Sequence, residues 1–357
     1  MAVNKITFGS NGRGGDQDYL SLASMIRMRS RELLTREQMD QLLRSESADA
    51  AAKQLQKAGW PNMVGLSAPE IDAALAERRE ARLREIGSVI ADDGVVDTFR
   101  LKYDYHNAKA LIKGEGAGVE AGDMISQSGR VAPAKLRAAF EGDDYRSIPG
   151  TLGHAMAEAK AVLARTQNPQ LCDFILDKAY FAEMKELVTG IGAPADHLTP
   201  RVSSDTLDPF MVRYRNHLAD SANLRIAVRC LRMGRDPEFM RTALIPEGGI
   251  ASERIYQAAF GSDGLEALYV SSPFRAAAAL GMEAVKGGAM TAFEKECDNA
   301  LMRWLAAQRI LFVGPELSVW YLNAEETGIV DVRMILTGMK AGIDPVRLKE
   351  RLRDTYV

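Results

Sequence analysis

A two-part polar signature recurs three times along this 357-residue chain, and the recurrence constrains the fold more tightly than any composition figure. The first part is an Asp with an Ala two residues on, set in an apolar helical stretch: DAAL from Asp72, DKAY from Asp177 and DNAL from Asp298. The second is an Asn or Asp two residues ahead of a basic residue: Asn107 before Lys109, Asn223 before Arg225, and Asp331 before Arg333. Steps of 105 and 121 residues separate the copies of the first part, and steps of 116 and 108 those of the second. A third marker, a small-residue helix start, precedes each pair: LLTREQMDQLL from Leu33, VAPAKLRAAF from Val131 and IASERIYQAAF from Ile250. Ordered triplets at near-constant period point to internal duplication of one unit.

A chain of this length exceeds the size at which one hydrophobic core stops growing. The repeat divides it into three domains, near 1–118, 119–238 and 239–357. The Gly- and Pro-rich stretches 113–130 and 233–249 lie between the copies and supply the boundaries. Hydrophobic residues at 46% and charged residues at 26% suffice for a buried core and argue against disorder. Net charge is −3, so no basic excess drives binding to nucleic acid or an anionic membrane. Three widely spaced cysteines, Cys172, Cys230 and Cys297, fit neither a disulfide framework nor a zinc motif and point to the cytoplasm. No secretory leader pattern and no run of eighteen apolar residues is found, so no transmembrane segment is expected.

Periodicity between loops is helical, and helix starts are well marked. Thr35 to Gln38 and Ser67 to Glu70 read as capping boxes, and Asn168–Pro169 and Asp344–Pro345 as a cap followed by a first-turn proline. Gly114, Gly234 and Gly338 follow the second marker and are expected to end helices with positive φ. No strand-like alternation is sustained, which makes the class all-α. The glycine-rich start, Gly9 to Gly15, reads as a flexible terminus.

At about 100° per residue, Asp72 falls within the roughly 120° apolar arc of Ile71, Leu75, Leu83, Ile86 and Ile90. Asp177 sits near the middle of its own stripe, and Asp298 about 20° outside the third. A carboxylate facing a core needs donors. Asp72 is therefore expected to meet Asn107 or a nearby backbone donor in its own domain, and Asp177 to meet Asn223. Lys109, Arg225 and Arg333, rotated by about 200° from their Asn or Asp, are left for flanks or domain contacts. In the third copy Asp331 would face Asp298 unless a cation or proton intervenes. These nine positions read as architectural rather than catalytic.

No catalytic constellation emerges. His106, His154, His197 and His217 have no metal-ligand spacing, and there is neither a nucleophile elbow nor a phosphate loop. Asp92–Asp93 and Asp143–Asp144 read as turns or solvated faces. The RMRSR cluster from Arg27 to Arg31 could meet an acidic partner surface. No cofactor or metal is implied.

Three blocks carry a resemblance: LKYDYHNAKALIKGE from Leu101, NLRIAVRCLRMGRDPEFMRTALIPEGGI from Asn223, and the final stretch from Gly314. Together they resemble the C subunit of V-type (A-type) ATP synthases, the family that includes the d subunit of eukaryotic V-ATPases, over essentially the whole chain. The resemblance implies a funnel of three similar helical domains about a pseudo-threefold axis, with a central cavity. It implies seating on the membrane proteolipid ring, receipt of the central shaft (the D and F subunits), and transmission of torque without chemistry, on the cytoplasmic side of the membrane. The short GEGAGVEAG run and Asp331 depart from the family's usual pattern. The competing readings are an α-toroid enzyme, whose pocket would collect convergent acidic or histidine groups, and a generic helical scaffold.

Overall fold

The structure is a computed structural model that describes residues 16–90, 93–190, 208–262, 264–309 and 314–355. Among these the regular structure is helical, with no strand. After α1 (Asp16–Arg29) come α2 (Arg36–Leu43), α3 (Ala48–Lys57), α4 (Ala68–Gly87) and the long α5 (Asp93–Ala117). Next are α6 (Pro133–Glu141), α7 (Gly150–Thr166), α8 (Pro169–Gly190) and α9 (Pro209–Arg232). Then come α10 (Pro237–Ala243), which straddles the expected 238/239 boundary, α11 (Ser252–Phe260), α12 (Gly264–Leu268), α13 (Arg275–Val285), α14 (Met290–Gln308), α15 (Glu316–Lys340) and α16 (Pro345–Arg351).

Helix starts follow the sequence signals. Thr35 and Gln38 form a reciprocal capping box, with Gln38 N–H donating to Thr35 Oγ1 at 3.2 Å and Thr35 N–H to Gln38 Oε1 at 2.9 Å. Glu70 takes the Ser67 backbone N–H at 2.7 Å. Asn168 and Asp344 accept from Gln170 and Val346, two residues on.

Helix ends correct the glycine assignment. Gly234 has φ +60°, as expected, but the matching residues in the other copies are Gly118 (φ +66°) and Gly342 (φ +70°), four positions beyond Gly114 and Gly338. In all three, the next residue's N–H turns back to the carbonyl five residues earlier: Val119 to Gly114, Arg235 to Cys230, Ile343 to Gly338, at 2.9 to 3.0 Å. Gly114 is small for another reason: a Cβ there would lie 2.8 Å from the Val119 carbonyl of the returning loop.

Apolar packing draws on distant parts of the chain. One large cluster joins Leu22 and Ile26 of α1, the C-terminal half of α4 (Leu83, Ile86), α5 to α8, and the starts of α9 and α15. A second joins residues 34–75 to 329–352, and a third gathers residues 224–300. Helices α4, α9, α14 and α15 each place one half in the large cluster and the other half in a flanking one. Such a helix couples two cores rigidly, because its backbone hydrogen bonds are continuous across the boundary.

Candidate functional site

The recurring aspartates do not meet the asparagines of their own copies. Asp177 on α8 pairs with Lys109 on α5 at 2.6 Å, Asp298 on α14 with Arg225 on α9 at 2.5 Å, and Asp72 on α4 with Arg333 on α15 at 2.5 and 2.8 Å. Each cation therefore reaches the carboxylate of the following copy, and the third reaches the first. The expected pairings Asp72–Asn107 and Asp177–Asn223 are overturned, because the aspartates are part-exposed and the asparagines are taken up by their own loops. Their side chains remain 40%, 40% and 38% exposed in chain order, leaving room for a long cationic arm from outside.

The asparagines, fully buried, clamp their own following loops. Asn107 donates through Nδ2 to the Ser126 carbonyl and accepts the Ser126 N–H, both at 2.8 Å. Asn223 holds Ile245 in the same way, at the same distances. An amide carries one donor and one acceptor side by side, which matches the N–H and C=O of a single residue. Asp331 accepts the Arg353 N–H at 3.2 Å, while Arg353 also reaches Asp298 at 3.0 and 3.1 Å. Arg353 thus stands between the two carboxylates, its guanidinium on Asp298 and its backbone N–H on Asp331.

Sequence reasoning missed the residue one turn earlier. Asp104 accepts the Val131 N–H at 3.0 Å and Arg130 Nε at 2.8 Å, and Asp220 accepts the Ile250 N–H at 2.9 Å. A Cβ on Gly249 would lie 2.9 Å from Asp220 Oδ2, so the loop approaches that closely only with glycine there. Burial raises both carboxyls, Asp220 to about 6, against the pull of the backbone donors. The signal was present as D-x-x-N in DYHN and DSAN, whereas the third copy reads GIVD. There Gly328 admits the Trp60 ring, 3.3 Å from where a Cβ would stand.

A further polar cluster, also missed, lines the meeting of α4, α5 and α15. Glu326 accepts Arg79 Nε at 2.7 Å and the Tyr103 hydroxyl at 3.0 Å, with Lys102 Nζ at 3.1 Å. One turn back on α15, Asn323 donates to the Tyr214 hydroxyl at 3.1 Å. Burial pushes Glu326 up, but Lys102 and Arg79 outweigh it and bring the carboxyl to about 2. Burial is likewise the largest influence on Lys102, lowering its ammonium, although its side chain is 37% exposed.

The other sequence candidates have local partners. Asp144 pairs with Arg146 and Asp143 with Lys160. Arg29 of the basic cluster is held by Glu32 and Glu85. His106 contacts the Met124 carbonyl, and His217 packs edge-on against Trp304. Asp92, His197 and the Gly9 to Gly15 run lie outside the described residues. Among the described residues no group of three or more His, Cys, Asp or Glu is placed to hold a metal ion, and no helix is long and apolar enough to cross a membrane.

Residues 22–351 match the model of the ATP synthase (C/AC39) subunit family. The chain is 20% identical over 340 residues to the C subunit of the V-type sodium ATPase of Enterococcus hirae, covering 95% of this chain and 99% of that one. It is 24% identical over 242 residues to the C subunit of the V-type ATP synthase of Thermus thermophilus, covering 66% of this chain and 73% of that one. With residues 22–351 matching that family, the chain belongs to the ATP synthase (C/AC39) subunits.

Proposed function

We propose that the chain is a non-catalytic coupling subunit of a V/A-type rotary ATPase or ATP synthase, linking the central shaft to the membrane proteolipid ring during ion transport. Residues 1–118, 119–238 and 239–357 are then three copies of one helical domain, arranged as a funnel about a pseudo-threefold axis. Within the complex the chain lies at the cytoplasmic face of the membrane, with the D and F subunits of the shaft and the ring as partners. The nine repeat positions are structural: they join the copies and hold their loops.

The observation that carries the proposal is the cyclic order of the ion pairs, Lys109 to Asp177, Arg225 to Asp298 and Arg333 to Asp72. Three copies that each grip the next, with the last gripping the first, suit an arrangement around a centre. Of the polar cluster of Lys102, Tyr103, Arg79 and Glu326, the Lys102 ammonium is the part most open to a helical shaft. The test is assembly of the purified chain with the D and F subunits, followed by size-exclusion and titration. Charge reversal in Lys102→Glu should weaken that complex roughly tenfold or more while the helical circular dichroism is retained. Failure of the unaltered chain to bind the shaft subunits would reject the proposal.

A further inference from the structure

The third clamp differs from the other two by one proton-bearing atom. Asn107 and Asn223 each make two bonds to one loop residue, a donor to its carbonyl and an acceptor to its N–H. At the matching place Asp331 makes only the accepting bond, to the Arg353 N–H, and its Oδ2 is buried without a hydrogen-bond partner. The side chain is fully enclosed. An amide always has the second donor; a carboxyl has it only when protonated.

The segment gripped by Asp331 is the short stretch after α16. Leu352 is buried, Arg353 bridges to Asp298 on α14, and Asp354 exchanges two bonds with Asn299 of α14, at 2.7 and 3.0 Å. This segment thereby straps α14 to α15. The charged groups acting on Asp331 are Arg353 of the strap and Lys295 and Asp298 of α14, with Arg225 of α9 one step further on, bound to Asp298.

We propose that Asp331 is a proton-operated clamp on residues 352–355, gripping the strap when its carboxyl is protonated and slackening when it is ionised. Protonated, Oδ2 becomes the donor that the asparagines supply elsewhere and bonds the Arg353 carbonyl. Ionised, it leaves a negative oxygen buried without a hydrogen-bond partner, which one backbone N–H and the Arg353 and Lys295 charges offset only in part. Burial raises the carboxyl to about 7, the Arg353 and Lys295 charges opposing, so the change of state falls in the neutral range. The clamp needs nothing from the shaft or the ring and operates in the isolated chain.

The experiment is hydrogen–deuterium exchange of the full chain at pH 6, 7 and 8, read on a peptide covering residues 349–355. Rates are corrected with the same peptide unfolded at each pH. Protection should fall about tenfold from pH 6 to pH 8 in the unaltered protein. In Asp331→Asn, which restores the amide of the other copies and leaves Asp298 and Asp354 free to titrate, it should stay level. Constant protection in the unaltered protein, or an equal fall in Asp331→Asn, would overturn the proposal.

Discussion

At the scale of single residues, two kinds of repeated polar contact differ sharply in what they contribute. The Lys109–Asp177 pair is 26% and 40% exposed, so truncating Asp177 to Ala should cost under about 1 kcal/mol in urea unfolding. Asn223 is fully buried and serves both backbone groups of Ile245; Asn223→Ala strands them and should cost about 2 to 4 kcal/mol. Equal losses for the two variants would contradict this ranking. Asp220 adds a pH dependence. Its folded value of about 6 lies above the ordinary 3.8, so its protonated form stabilises the fold below about pH 4, and that contribution is lost as pH rises through 6. The stability difference between Asp220→Asn and the unaltered chain should therefore shift in favour of the variant by about 2 kcal/mol between pH 4 and pH 7, and a flat difference would refute it. The nine repeat positions were legible from spacing; their partners were not. Periodicity reveals that Asp72, Asp177 and Asp298 are equivalent, but not that each cation comes from the preceding copy, because that depends on how copies dock. Asp104 and Asp220 were legible in principle, as D-x-x-N, but a single Asp one turn from a chosen marker looks like an ordinary helix residue.

At the scale of elements, the ends of the long helices explain how the loops are aimed at the clamps. Gly118, Gly234 and Gly342 turn the chain by their positive φ, and the loop then runs back along its own helix to the clamp one turn or more from the end. No atom lies within 4 Å of a Cβ built on Gly234, so Gly234→Ala meets backbone strain alone. A loss of about 1 kcal/mol in thermal or urea unfolding is expected, without change in helical content. A neutral result would mean that the turn is not required. Helix starts were legible because their caps act locally: Thr35, Asn168 and Asp344 accept from backbone N–H groups two or three residues on, and Glu70 reaches back to the Ser67 N–H. The ends were misplaced because more than one glycine competes for the turn, Gly114, Gly116 and Gly118 in the first copy and Gly338 and Gly342 in the third. Gly114 is chosen by the approach of the returning backbone, a tertiary fact.

At the scale of the whole molecule, closure between the two ends of the chain rests on more than the exposed Asp72–Arg333 pair. Arg78 on α4 forms a bidentate pair with Glu325 on α15, the two side chains 4% and 3% exposed, and donates to the Gly59 carbonyl at 2.9 Å. Its guanidinium lies over the Trp60 ring at 4.0 Å, the same ring that fills the space beside Gly328. Here the third repeat has given up the buried carboxylate of Asp104 and Asp220 and admits an aromatic side chain from the first. The departure from the repeat pattern therefore coincides with the seam where last copy meets first. Removing Glu325 leaves the buried Arg78 guanidinium with only the more distant Glu32 carboxylate, at 3.6 Å, and the Gly59 carbonyl, so Glu325→Ala should cost about 3 kcal/mol. The double variant Arg78→Met, Glu325→Ala removes the stranded charge and keeps much of the side-chain volume over Trp60. It should recover at least about half of that loss in a double-mutant cycle. If the double variant is instead no more stable than Glu325→Ala, then the pair does not hold the seam by electrostatic matching, and closure belongs to the apolar packing of Ile71 and Leu75 against Ile329 and Val332.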